Sequence, residues 1–299
     1  MPVEPMSTPH AASCVSRAAS SASPAASLAP PQRGTNPPAT WARLGYEYAV
    51  FYAGLVLFAV PLLLWSLLAG IISLMLPRRI GATIGRRMVM RIFRAYLLLL
   101  TSSGLLKLDL GALDALRDEC ALIIAPNHPA LLDVVLMVSR LPHAVCIMKA
   151  NLGKNIILGG AARLAGYIHN DSAFSMIRQA SAEVRSGGQL LIFPEGTRTT
   201  QPPVNAFKGG FAMIAKTAGV PVQTVLIESN SLFLGKGWPL FKKPAFPLFY
   251  RVRLGRRFEV DCGVREFVAK LEDYYQEALG PNHPAGPVSD SLKPRAPVV

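Results

Sequence analysis

The feature that most restricts this chain is an uncharged apolar run, 48-YAVFYAGLVLFAVPLLLWSLLAGIISLMLP-77. As a helix rising 1.5 Å per residue, a run of this length exceeds the ~30 Å hydrocarbon core of a bilayer. Trp41, Tyr46, Tyr48, Phe51 and Tyr52 gather at its N-terminal end, where an aromatic belt would meet the headgroups. Pro61, near the middle, allows either a kinked single helix or two half-length helices that dip in and return. The expectation is a membrane-anchoring hydrophobic helix or helical hairpin ahead of the rest of the fold.

The neighbouring stretch is basic. Between Glu47 and Asp109 there is no acid, while Arg78, Arg79, Arg86, Arg87, Arg91 and Arg94 all fall there. Arg87, Arg91 and Arg94 share one helical face, with Val89, Ile92, Phe93 and Tyr96 on the other sides. This is the pattern of a basic amphipathic helix lying among headgroups. The 299 residues carry a formal charge of +13, and 51% of them are apolar. Such a balance suits an anionic membrane surface or a nucleic acid. The sequence has no zinc-finger spacing, no aromatic RNA-binding motif and no Gly-Lys-Ser phosphate loop, and its densest basic cluster adjoins the apolar run. Membrane lipids are therefore the expected partner, and nucleic acid is not. The positive-inside rule places the remainder of the chain on the cytoplasmic face, at the inner membrane if the cell is bacterial. Cys14, Cys120, Cys146 and Cys262 lie far apart, so neither a disulfide framework nor a metal site is expected.

Composition divides the chain further. Residues 1–38 are Ala, Ser and Pro with few large apolar side chains, which predicts disorder. Residues 39–104 hold the anchor and the basic helix, 105–279 alternate short apolar runs with helical patterns, and 280–299 read as a flexible tail. Strands are predicted at 121–125, 144–148, 189–193, 222–227 and 248–254. Helices are predicted near 129–140, 155–165, 172–186, 207–218 and 263–279, with Asp171 or Ser172 capping the third of these. Alternation of this kind predicts an α/β domain with a buried sheet flanked by helices.

The residues suited to chemistry stand where strands end. In 123-IIAPNHPALLDVV-135, Asn127 and His128 come after a strand, at the end where open α/β sheets place their sites. Pro129 fits the first turn of a helix, with His128 at its cap. Asp133, just over one turn in, can then hold one imidazole nitrogen and leave the other to accept a proton from a hydroxyl. Further on, 189-QLLIFPEGTRTT-200 ends a strand in Glu195, Gly196, Thr197 and Arg198. Gly196 lets backbone N–H groups approach an anion, and Arg198 offers a planar fork for phosphate or carboxylate. Lys208, beside Gly209 and Gly210, opens the next helix and adds a second cation. His169 reads as a solvent-exposed or hydrogen-bonded loop histidine.

Together, Asn127-His128-Pro-Ala-Leu-Leu-Asp133 and Phe193-Pro-Glu-Gly-Thr-Arg198 resemble the first and third motifs of the glycerolipid acyltransferases, whose reference activity acylates 1-acylglycerol-3-phosphate. Lys149, Gly166-Tyr-Ile168, Phe207-Lys208-Gly209 and Val220-Pro221-Val222 extend the resemblance over about 105–230. It implies an acyltransferase-type mixed sheet flanked by helices, with His128 as general base and Asp133 as its partner. The donor would be an acyl-CoA or acyl-carrier protein, with no cofactor and no metal. Asn127, Lys149, Glu195, Gly196, Thr197, Arg198 and Lys208 would bind the acceptor. Two positions depart from the pattern: Ser172 stands where the family has an arginine linked to the acceptor phosphate, and Thr224 where it has a second proline. The first leaves open another hydroxylated lipid acceptor, of ornithine or pigment type.

Overall fold

The computed structural model describes residues 41–153 and 155–280. The tail expected at 1–38, and all but the start of that at 280–299, lie outside the described residues. The apolar run forms one unbroken helix, α1 (Trp41–Met75), with Pro61 inside it, so the hairpin alternative does not hold. The reason lies in packing. Phe51 and Gly54 before the proline, and Leu62, Trp65 and Ala69 after it, are buried along the same helix. Losing one backbone hydrogen bond at Pro61 is outweighed by keeping both halves seated.

The basic segment forms α2 (Arg78–Ser102), which ends where the sheet begins at β1 (Leu106–Asp109). The chain continues through β2 (Leu122–Pro126), α3 (Leu132–Val138), β3 (Ala144–Met148), α4 (Ala150–Gly153), α5 (Gly159–Ala165) and β4 (Ile168–His169). It then passes through α6 (Ala173–Arg185), β5 (Gln189–Leu191), α7 (Gly210–Ala218), β6 (Val222–Ser229), β7 (Leu248–Phe258) and α8 (Val264–Ala278). The strands lie in the order β1-β7-β6-β2-β5-β3-β4, with every pair parallel except β6 and β7. The mixed sheet flanked by helices is thus as expected. β1 and β4 are additional, being too short to leave a pattern.

Alternation along β2 divides the interior in two. Leu122 and Ile124 enter a core shared with Leu62 and Trp65 of α1, Phe93 of α2 and Leu136 of α3. Ile123 and Ala125 enter the opposite core with Val184 of α6, Phe211 of α7 and Phe267 of α8. Because helices cover both faces, β2 is buried at every position, as a central parallel strand must be.

α1 is built into this arrangement. The Ser66 hydroxyl accepts the backbone N–H of Gly160 at 3.0 Å, closing α1 onto the start of α5. A Cβ on Gly160 would stand 1.9 Å from the Ser66 carbonyl oxygen, so only glycine allows this approach. Near the other end of α1, buried Glu47 pairs with Lys243 at 2.6 Å and with Arg43 at 3.1 Å. On α2, Arg87, Arg91 and Arg94 are accessible along one face. Arg86 is not a headgroup arginine: it donates to the Ala165 carbonyl at 2.9 Å and pairs with Glu183 at 3.0 Å.

Candidate active site

β2 ends in Pro126, which has no N–H to continue the ladder with β6. The Asn127 side chain takes over: its Nδ2 donates to the Ile227 carbonyl at 2.9 Å, and its Oδ1 accepts the Ile227 N–H at 2.7 Å. This buried amide copies a peptide pairing one step past the strand, and so fixes where the chain leaves the sheet. His128 comes next, at that point.

The helix after His128 begins at Leu132, not at Pro129. His128, Pro129 and Ala130 therefore form a turn, and Asp133 lies in the first turn of α3. The physical reason is the carboxylate itself: Asp133 Oδ2 accepts the Ala130 N–H at 2.7 Å and meets His128 Nδ1 at 3.0 Å. One oxygen thus holds both the turn and the ring. With an ionised carboxylate as acceptor, Nδ1 carries the imidazole proton and Nε2 presents its lone pair. The ring stacks on Phe193, centroids 4.0 Å apart, which fixes its plane. Asp133 is fully buried, and among the described residues no donor reaches its Oδ1. Burial raises its pKa above the usual carboxylate value; the His128 and Ala130 hydrogen bonds oppose the rise, and the Glu195 charge adds to it.

The second motif supports the first from behind. Glu195 is 1% exposed. Its Oε1 accepts the His128 backbone N–H at 2.8 Å, its Oε2 accepts the Asn205 N–H at 2.9 Å, and the Thr199 hydroxyl donates between them at 2.8 and 2.9 Å. The His128 carbonyl accepts the Thr199 N–H at 2.7 Å, so histidine and loop are joined in both directions. Asn127 and Glu195 are expected from the sequence to bind substrate. In the structure both side chains turn inward and hold backbone in place. Arg198 is also partly committed: its Nη1 donates to the carbonyls of Leu234 and Gly235 at 2.8 and 2.9 Å.

The remaining residues stay nearer solvent. Gly196 has φ +65°, and a Cβ there would meet the Lys208 stem at 2.8 Å, so Lys208 lies across the turn and remains exposed. Thr197 is half-buried in the same turn. Lys149 is exposed just past β3. It shares the sheet edge with His128, but among the described residues no hydrogen bond or ion pair joins the two. An apolar cleft adjoins the site, lined by Phe51, Gly54, Tyr96, Leu132, Phe233 and Leu248. Among the described residues no cluster of three or more His, Cys, Asp or Glu is placed to hold a metal.

The two departures from the motif pattern have local explanations. Ser172 caps α6, its hydroxyl accepting the Ser175 N–H. Thr224 is fully buried and donates to the Arg256 carbonyl at 2.7 Å, next to a register shift between β6 and β7. His169 matches neither expectation: it closes β4 half-buried against Gly153, and its Nδ1 finds no partner among the described residues. Thr199 and Asn205 are site residues that sequence reasoning does not single out, and Phe193, though it opens the second motif, is not foreseen there as the ring beneath His128. Thr199 stands next to the motif, whereas Asn205 carries no signal at all.

Residues 108–228 match the acyltransferase family model. A chloroplastic 1-acyl-sn-glycerol-3-phosphate acyltransferase of Brassica napus is 24% identical over 137 residues, 44% of this chain and 40% of that protein. A putative enzyme of the same name from Caenorhabditis elegans is 28% identical, over 42% of this chain and 51% of its own length. A lyso-ornithine lipid O-acyltransferase of Pseudomonas aeruginosa is 36% identical over 106 residues, 34% of this chain and 41% of that protein. The match thus spans about half the length of these curated relatives or less. The crystal structure of the 1-acyl-sn-glycerophosphate acyltransferase PlsC from Thermotoga maritima shares the fold, with TM-score 0.58 and 18% identity over 85% of this chain and 99% of that one. Residues 108–228 thus carry an acyltransferase domain, similar to those of the 1-acyl-sn-glycerol-3-phosphate and lyso-ornithine lipid acyltransferases.

Proposed function

We propose that this protein is a membrane-bound O-acyltransferase that moves a fatty acyl chain from an acyl-CoA or acyl-carrier-protein thioester to a lysolipid hydroxyl. The first candidate acceptor is 1-acylglycerol-3-phosphate. The observation that carries the reading is the His128–Asp133 pair, 3.0 Å apart, with the ring held flat on Phe193 at the carboxyl end of β2. Nε2 takes the acceptor hydroxyl proton as the oxygen bonds to the thioester carbonyl carbon. The carbon–sulfur bond then breaks, and the imidazolium returns its proton to the leaving thiolate. Asp133 stabilises the imidazolium between the two steps. A base positioned this way contributes about 10²–10⁴-fold. Lys149, Lys208, Thr197 and the backbone of Gly196 supply donors for the acceptor headgroup, and the cleft beside Leu132 takes an acyl chain.

The anchor reads as lying in one leaflet rather than crossing the bilayer. α1 is buried against the domain from Glu47 to Ala69, about 33 Å of helix. A span of the ~30 Å core would have to free that length from the domain. The helix is long and apolar enough to enter a membrane, and its outward face carries exposed Val56, Leu57, Val60, Leu64, Leu67 and Ile71. Arg87, Arg91 and Arg94 then meet the headgroups on the cytoplasmic side.

A second acceptor is favoured by two observations: Ser172, a helix cap, stands where an acceptor-phosphate arginine is expected, and the 36%-identical relative is named for lyso-ornithine lipid. One experiment tests both readings. Membranes carrying the wild-type chain or His128→Ala receive an acyl donor with lysophosphatidic acid and lyso-ornithine lipid in competition, and products are resolved by mass. The expected result is histidine-dependent phosphatidic acid. Histidine-dependent ornithine lipid alone keeps the chemistry and changes the acceptor. Product that survives His128→Ala refutes the mechanism.

A further inference from the structure

The segment between β6 and β7, residues 230–247, is unusual for a loop. It contains Lys236, Lys242 and Lys243 and no acid. Phe233 is buried in the core, with Leu234, Trp238 and Phe246 packed against it, but three other apolar side chains face outward: Leu232 is 69% exposed, Leu240 51% and Phe241 70%. A soluble surface seldom groups large apolar residues in this way. The loop is not slack. Trp238 Nε1 donates to the Lys242 carbonyl at 2.9 Å, and the Lys242 ammonium lies 5.3 Å from the Trp238 ring.

Its position selects the partner. Lys243 reaches Glu47 of α1 and lies 5.3 Å from the Tyr48 ring, and Phe233 packs edge-on against Phe51. The loop therefore continues the end of α1 that carries exposed Tyr46, Tyr48 and Tyr52. Tyrosines with amphipathic rings mark the headgroup level. Lys236 and Lys242, in a segment without acids, suit anionic phosphates, and Leu240 with Phe241 suits the acyl margin beneath. We infer that the loop at 230–247 is a second membrane-contacting element, inserting Leu240 and Phe241 at the bilayer surface and setting Lys236 and Lys242 against anionic phospholipid headgroups. This rests on the reading that the outward face of α1 lies in lipid. The loop also reaches the site: its Leu234 carbonyl accepts the Leu131 N–H at 3.0 Å as well as the Arg198 guanidinium. Seating the loop thus bears on the turn that carries His128.

The test uses the full chain reconstituted in vesicles of phosphatidylcholine alone or mixed with phosphatidylglycerol. Trp41, Trp65 and Trp238 are replaced by Phe, and one reporter is introduced, Phe241→Trp or Leu64→Trp. With brominated acyl chains in the lipid, the expected result is quenching at both positions. Quenching at 241 should be stronger with phosphatidylglycerol, and that increment should vanish with Lys236→Gln and Lys242→Gln. Quenching at 64, with 241 remaining open to aqueous iodide, refutes the loop inference and leaves the anchor reading standing; no quenching at either position refutes both. Equal quenching at 241 in both lipids refutes the anionic-headgroup assignment. A reporter at 241 indifferent to vesicles but shifted by an acidic acyl-carrier protein assigns the face to that protein and overturns the inference. The unmodified chain gives an independent reading: trypsin should cut after Lys236 more slowly in phosphatidylglycerol vesicles than in detergent, and equal rates count against insertion.

Discussion

Glu195→Gln is the most informative single change, because it keeps the side chain's shape and alters only what its two oxygens can accept. In the wild type each carboxylate oxygen takes one backbone N–H, Oε1 from His128 and Oε2 from Asn205. The Thr199 hydroxyl lies within hydrogen-bond distance of both. A glutamine has one acceptor oxygen and one NH₂ group, so in either orientation one backbone N–H faces another donor. The hydroxyl is not the loser, since it can turn to accept from the new amide. The cost is one buried unsatisfied donor, about 1–3 kcal/mol, with no compensation from solvent at a residue 1% exposed. If the abandoned donor is that of His128, the turn shifts, and a displacement of about 1 Å at a reacting group costs on the order of 10²-fold in rate. The assay pairs chemical unfolding with steady-state turnover at varied acceptor concentration. The expectation is a lower unfolding midpoint together with a fall in kcat. A raised KM with unchanged stability and kcat would refute the argument, because it is the behaviour of a carboxylate that touches substrate.

Asp133→Asn should separate activity from stability. Burial raises the pKa of Asp133, so its contribution is most favourable when it is protonated, below the unfolded value, and that contribution is lost as pH rises through the raised value. The amide does not titrate; its stability relative to wild type should therefore improve from acid towards neutral pH in thermal melts, while turnover falls by about 10²–10⁴-fold. Gly160→Ala places a methyl group against the Ser66 carbonyl, and overpacking of this kind costs about 1–3 kcal/mol. The expected readout is a lower melting temperature with α1 more open to proteolysis; an unchanged melt would show that α1 is not seated on α5.

Which parts of the site can be read from the chain depends on how far apart their partners are. His128 and Asp133 are legible because five positions and one strand end decide their geometry. Asn127 can be seen as placed at the site, but its partner is Ile227, on a different strand, and no local pattern connects them. The role of Glu195 is hidden for a different reason: its partners include backbone N–H groups, which every residue but proline has and which no sequence marks. The docking face of α1 is hidden by uniformity. In a run apolar on all sides, the small residues that admit a neighbour, Gly54, Ser66 and Ala69, look like the rest. For the same reason Pro61 suggests a break that packing on both sides of it prevents.

The two buried carboxylates bring these points together. Asp133 and Glu195 are both acids beside one histidine, yet one addresses the ring and the other the backbone, and each is shielded from solvent. The interior carboxylates therefore hold the histidine, whereas among the described residues the cations that face outward, Lys149 and Lys208, are not tied into that network. On the proposed mechanism, proton transfer and acceptor recognition would depend on different side chains in different dielectric surroundings. On that reading, a change outside the buried network, such as the serine at 172, would redirect the acceptor while the His128–Asp133 distance stays as it is. The same division would explain why a chain that departs from the resembled pattern at position 172 still carries His128, Asp133 and Glu195 in full.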